Sequence, residues 1–239
     1  MGIQTRQVEY RDGDTVLEAH VAWDDAVSGP RPGVLVSHAW AGRSDFEDRK
    51  AERLAELGYA GFALDLYGKG VLGKNNDENA KLMKPFIDDR RILQRRMKLA
   101  LEQIRGQKEV DSNRVAAIGF CFGGLCVLDL ARTGADVRGV VSFHGLLGAP
   151  GNTEGKHMKA RALVLHGWND PMAPPEQVLE FAKEMAALRA DWQLHAYGNA
   201  MHAFTNPQAN APDHGLLYDA TADRRSWDSM WLFLNEAFA

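Results

Sequence analysis

Three residues of this 239-residue chain carry complementary chemistry: a thiol at Cys121, a carboxylate at Asp170 and an imidazole at His202. Each follows its own short apolar run: "AAIGF", "ALVLHGWN" and "LHAYGNAM" in turn. A thiolate is a strong nucleophile. An imidazole beside it can take a proton and return it to a leaving group. A carboxylate behind the imidazole fixes its tautomer and stabilises the imidazolium. That set performs acyl transfer through a covalent thioester. In "RVAAIGFCFGGLCVL", residues 114–128, Cys121 stands between Gly119, Gly123 and Gly124. This is the G-x-S-x-G pattern with cysteine at its centre, which puts a nucleophile on a strained strand-to-helix turn. The small residues let backbone segments pass closely. A helix beginning at position 121 directs its N–H groups and positive dipole end at the thiol, which favours thiolate. The order nucleophile, acid, histidine is that of hydrolases built on this turn.

The remaining reactive side chains read differently. Cys126, the other cysteine, stands five residues on; within a helix that separation is too long for a disulfide and points to another face, so it packs as a small hydrophobe. His38, His144 and His166 lie near strand ends, but their spacing fits no zinc pattern, so no metal is expected. His166 reads as a packed histidine bonded to backbone. "GKGVLGK" lacks the spacing of a phosphate-binding loop, and no cofactor is expected.

These side chains need a scaffold. "IQTRQVEY" and "TVLEAHVAW" flank Asp12-Gly13-Asp14 and read as a hairpin. Strands and helices then alternate: strand "GVLVSHA", helix "DFEDRKAERLAELG" with Phe46, Leu54 and Leu57 toward one side, strand "YAGFALDL", a polar loop through "GKGVLGKNNDEN", and helix "DDRRILQRRMKLALEQIR". Strand "RVAAIGF" and a helix from Cys121 to about Arg132 follow. Then come strands "VRGVVSFHG" and "ARALVLHG", helix "PPEQVLEFAKEMAALRA", strand "DWQLHAYG" and a closing helix "DRRSWDSMWLFLNEAF". The pattern predicts an α/β fold, one domain over 1–239, with a mostly parallel sheet, helices on both faces and an antiparallel N-terminal hairpin. The connection "LLGAPGNTEGKHMKA" is too short for a large cap domain.

Composition narrows the partners. Net charge is −4, from 28 basic and 32 acidic residues, so neither nucleic acid nor an anionic membrane is expected. No apolar run approaches the ~18–20 residues that span a bilayer, and the first residues have no signal-peptide core. The expectation is a cytoplasmic monomer or homodimer acting on a small molecule.

"GFCFGG", "LHGWNDPMAP" and "YGNAMHAFTNP", together with "SHAWAGRSDFEDRKAERLAELGYAGFALDLYGKG", resemble the dienelactone hydrolase family of the α/β-hydrolase superfamily. The resemblance implies that Cys121, Asp170 and His202 are the triad. It implies an oxyanion hole from the backbone N–H groups of Phe122 and Trp40. His38, Ala39, Tyr67, His144, Phe204 and Asn206, near strand ends or in the loops beside these residues, are the candidate substrate-pocket residues. Two positions depart from the family. Founding members have a glutamate that contacts the resting thiol and helps activate it; the matching place here is about Ala39, and no carboxylate is expected nearby. They also have an arginine that holds the substrate carboxylate; Asn206 stands there. The expected activity is hydrolysis of a small ester or lactone. The alternatives are a true dienelactone hydrolase (carboxymethylenebutenolidase) and a non-catalytic binding protein of the same fold.

Overall fold

The computed structural model describes residues 2–153 and 157–239. The chain divides into two compact units, Met1–Ile118 and Gly119–Ala239. In the first, strands β1 (Ile3–Asp12) and β2 (Thr15–Asp24) form the expected antiparallel hairpin, with Gly13 at φ +59° in the turn. Strand β4 (Ala60–Ala63) runs antiparallel to β2 and parallel to β3 (Arg31–Ser37). With β5 (Val110–Phe120), which ends just past the unit boundary, the order is β1-β2-β4-β3-β5. From Val115 to Phe120 every residue of β5 is buried.

Helix α1 (Asp45–Glu56) opens on a capping box. The Ser44 hydroxyl accepts from the Phe46 N–H, and Glu47 reaches back to the Ser44 N–H. Its buried residues include Ala51, Leu54 and Ala55; Leu57, expected on that side, is exposed because it falls at the C-cap. Helix α2 (Asn76–Asp88) occupies the end of the predicted polar loop, and α3 (Arg90–Arg105) matches its predicted span closely.

In the second unit, α4 (Phe122–Arg132) is buried along its entire length. Its C-terminal Arg132 is buried but neutralised: the guanidinium reaches Glu184 at 2.7 Å, Asp129 at 3.3 Å and the Leu147 carbonyl at 2.8 Å. Strands β6 (Gly139–Phe143), β7 (Arg161–Gly167) and β8 (Trp192–Tyr197) run parallel in that order. Helix α5 (Pro175–Ala187) connects β7 to β8, and α6 (Ala220–Phe238) ends the chain. Between β8 and α6 lies a small hairpin, β9 (Asn210–Ala211) and β10 (Leu216–Leu217), with a 3-10 turn at Pro212–His214. The predicted α/β class, with mostly parallel strands and an antiparallel N-terminal hairpin, is the observed one.

Candidate active site

The second unit holds the thiol, the carboxylate and the imidazole. Cys121 is the N-cap of α4, with φ 55° and ψ −116°. A non-glycine residue in that region stores roughly 1–3 kcal/mol of strain. The turn is held by hydrogen bonds at both ends: the Cys121 N–H donates to the Phe143 carbonyl at 3.0 Å and to His144 Nδ1 at 3.2 Å, while the Gly124 N–H donates to the Cys121 carbonyl at 3.0 Å. Glycine at 119 is compulsory, because a Cβ there would lie 2.1 Å from the Gly123 carbonyl oxygen. The thiol is half-buried, and Phe122 supplies the first N–H of the helix behind it.

Asp170 sits in the turn after β7 and His202 in the loop after β8. Both are buried, and Asp170 Oδ2 lies 2.7 Å from His202 Nδ1. The other carboxylate oxygen accepts the Met172 N–H at 2.8 Å, so both oxygens are engaged. The histidine is fixed through its backbone too: its N–H donates to the Gly215 carbonyl at 2.9 Å, and its carbonyl accepts from Leu217 N–H at 3.2 Å. Gly215 lies against the Pro171 ring, where a Cβ would come within 2.3 Å. The acid loop and the histidine loop therefore press on each other. Burial disfavours a charged imidazole at His202. The Cys121 charge and the Asp170 hydrogen bond and charge outweigh it, and raise the pKa from 6.5 to about 10. The electrostatics thus favour an imidazolium at His202.

His144 follows β6 with φ 39° and is buried. Its Nδ1 accepts from Cys121, and its Nε2 lies 2.8 Å from Thr205 Oγ1. The ring sits edge-on to His202, at 5.2 Å between centroids, and to Phe204, at 5.1 Å. Phe204 is fully buried and also packs on Tyr197. Asn206 organises its own turn: its side-chain oxygen accepts from Gln208 N–H at 3.0 Å, and its N–H donates to the Ala203 carbonyl. His166 is fully buried, and neither ring nitrogen has a hydrogen-bond partner among the described residues, contrary to the expected backbone bond. Burial holds its pKa down, against the pull of the Asp170 charge.

His38, Ala39, Trp40 and Tyr67 belong to the first unit. His38 Nδ1 is 2.6 Å from the Ala39 carbonyl, and its Nε2 accepts from the Leu66 N–H at 3.1 Å. The Tyr67 hydroxyl donates to the Trp40 carbonyl at 3.0 Å. The expectation that no carboxylate lies near Ala39 is wrong: Glu47 Oε1 accepts the Ala39 N–H at 3.2 Å. It arrives from the capping box of α1, so residues adjacent to Ala39 in sequence do not reveal it. Burial pushes the Glu47 carboxyl up, against His38 and the hydrogen bonds from Ser44 and Ala39.

Among the described residues, no group of three His, Cys, Asp or Glu could hold a metal ion, and no helix is long and apolar enough to cross a membrane. Sequence reasoning did not single out Thr205, Gly215 or Glu47. Only Glu47 had a signal, the Ser-x-x-Glu spacing from Ser44.

Comparisons with known proteins bear on the whole chain. The profile described as "Dienelactone hydrolase family" matches residues 17–238. A solved structure described as a dienelactone hydrolase-like promiscuous phosphotriesterase from metagenomic libraries is 39% identical, with a TM-score of 0.93 and all of both chains covered. An uncharacterized protein of Caenorhabditis elegans is 39% identical over 167 residues, 69% of this chain and 99% of the relative. The "probable 2-oxo-3-(5-oxofuran-2-ylidene)propanoate lactonase" of Bradyrhizobium sp is 26% identical over 246 residues, 98% of this chain and 96% of the relative.

Proposed function

The chain belongs to the dienelactone hydrolase family, and from that premise we propose that Cys121, His202 and Asp170 act as nucleophile, base and orienting acid in the hydrolysis of a small carboxylic ester or lactone. One observation carries the reading: the Asp170–His202 bond at 2.7 Å backs an imidazole whose pKa the Cys121 charge helps raise to about 10. In the first half-reaction the Cys121 thiolate attacks the carbonyl carbon, and the carbonyl π pair moves onto oxygen. The Phe122 N–H stabilises this oxyanion. The oxyanion collapses, the C–O bond of the alcohol breaks, and the His202 imidazolium gives its proton to the departing alkoxide. In the second half-reaction neutral His202 takes a proton from water as the water attacks the thioester. The thiolate leaves, the acid is released, and the imidazolium–thiolate pair is restored.

Asn206 in place of a cation favours a neutral substrate over its carboxylate-bearing analogue. The 39% identical structure described as a promiscuous phosphotriesterase supports adding a neutral phosphotriester to the substrates tried. The test is a panel of paired neutral and anionic esters, lactones and an aryl phosphotriester, run on wild type and on Cys121→Ala. Turnover of a neutral ester or lactone by wild type, lost in Cys121→Ala and blocked by iodoacetamide, is the expected result. Turnover that survives in Cys121→Ala overturns the nucleophile. Binding without any turnover supports the non-catalytic alternative.

A further inference from the structure

We propose that His144 is a positioning residue, a neutral imidazole brace that ties the backbone of the nucleophile to the loop of the base; this rests on the triad reading above. Both of its ring nitrogens are committed to protein atoms. Nδ1 receives the Cys121 N–H at 3.2 Å, so its lone pair is in use and it carries no proton. The ring proton therefore sits on Nε2 and is donated to Thr205 Oγ1 at 2.8 Å. Thr205 is fully buried and lies three residues after His202. It closes a turn in which Ala203 has φ 58° and the Asn206 N–H returns to the Ala203 carbonyl. One ring thus holds the strained residue that carries the thiol and the turn that follows the base. The same ring lies edge-on to the His202 ring. A second proton on His144 would set N–H against the Cys121 N–H and place a cation beside the imidazolium. The geometry admits the neutral form with hydrogen on Nε2.

The brace has a further cost that argues for a purpose. His144 adopts φ 39°, which β-carbon sterics disfavour, and its own N–H donates to the Leu165 carbonyl at 2.8 Å, which helps hold it there. Two strained residues, Cys121 and His144, are therefore joined by a hydrogen bond. The distance between thiol and base depends on both.

The test separates the tether from simple packing. Thr205→Val keeps the buried volume and removes the acceptor; Thr205→Ser keeps the hydroxyl. His144→Asn keeps an acceptor for the Cys121 N–H, tolerates the positive φ, and cannot reach Thr205. Two readouts are taken on the intact protein: kcat and KM for a neutral ester, and the pH profile of Cys121 alkylation by iodoacetamide. For Thr205→Val we expect kcat to fall about fivefold to tenfold with KM little changed, the loss of one buried hydrogen bond, and the alkylation profile to move to higher pH. Thr205→Ser restores both. In His144→Asn, adding Thr205→Val produces no further loss, because the tether is already gone. Wild-type kcat and alkylation in Thr205→Val, equal losses in Val and Ser, or additive losses in the double variant each overturn the brace. Should Thr205→Val fail to fold, comparison of Thr205→Ser with His144→Asn decides. The alkylation profile needs no substrate. If wild type turns over no ester while the profile shifts as stated, the brace stands and the hydrolase reading falls.

Discussion

On the mechanism proposed above, Asp170→Asn should separate the two half-reactions. In the native site Oδ1 accepts the Met172 N–H and Oδ2 accepts His202 Nδ1–H. Asparagine that keeps its oxygen on Met172 turns an NH2 group toward His202. The imidazole then presents the Nδ1 lone pair and carries its proton on Nε2, on the side of the thiol. On the proposed mechanism the imidazolium loses a charge-assisted hydrogen bond of about 1.5–3 kcal/mol, which makes the attacking state roughly 10- to 150-fold scarcer. Acylation, which begins from thiolate, slows by about that factor. Deacylation needs Nε2 to accept a proton from water, and the wrong tautomer blocks it; in comparable triads this change costs about 10⁴ in turnover. Acyl-enzyme therefore accumulates. A stopped-flow burst with p-nitrophenyl acetate, about one nitrophenolate per Cys121, followed by a slow steady state is the expected trace. The intact mass gains one acetyl group. A steady-state rate within about threefold of wild type, or a large loss with no burst, would refute the reasoning about the tautomer.

Cys121→Ala should lower ester turnover by about three orders of magnitude or more with unchanged circular dichroism, because it removes one half-buried side chain. The raised pKa of His202 predicts an alkaline limb of stability. Its folded value of about 10 exceeds the 6.5 of an unpaired imidazole, so the stabilisation is complete below pH 6.5 and is lost as the pH climbs through about 10. Thermal melts of wild type should fall more steeply between about pH 8 and about pH 10 than those of Cys121→Ala, whose histidine lacks the Cys121 sulfur that helps raise its pKa. Gly215→Ala must place a Cβ 2.3 Å from Pro171 at a backbone φ of 71°, and should cost about 1–3 kcal/mol while lowering kcat, both readable by denaturant titration and a rate assay. An unchanged kcat would mean that the two loops move apart without disturbing the Asp170–His202 bond.

What the sequence made legible follows from periodicity and order. The hairpin and the strands β3 and β5–β8 announced themselves as alternating or continuous apolar runs. Helix α2 did not. Its first turn lies in "NNDENA", which reads as polar loop, and Pro85 inside it argues against helix; the cap that starts it, Asn75 accepting the Glu78 N–H, becomes visible only with the structure. Strands β9 and β10 have two residues each and no period to detect. At the candidate site, Cys121, Asp170 and His202 could be named because each follows a strand in the order such hydrolases use. Their supports could not. Thr205 is ordinary in sequence, and its place depends on which nitrogen of His144 is already occupied. Gly215 matters through Pro171, 44 residues away in sequence. Glu47 looks like a helix surface charge until the capping box turns it inward.

The unequal burial of the two cysteines gives the protein its own gauge of conformational integrity. Cys121 is half-buried at the start of α4, and Cys126, one and a half turns later, is fully buried. A disulfide reagent in neutral buffer reports one thiol per intact molecule, and in denaturant it reports two. The ratio of those counts measures the folded fraction of a preparation without substrate, and counts of zero in buffer and one in denaturant mark molecules whose chain is sound but whose exposed sulfur is already oxidised or capped.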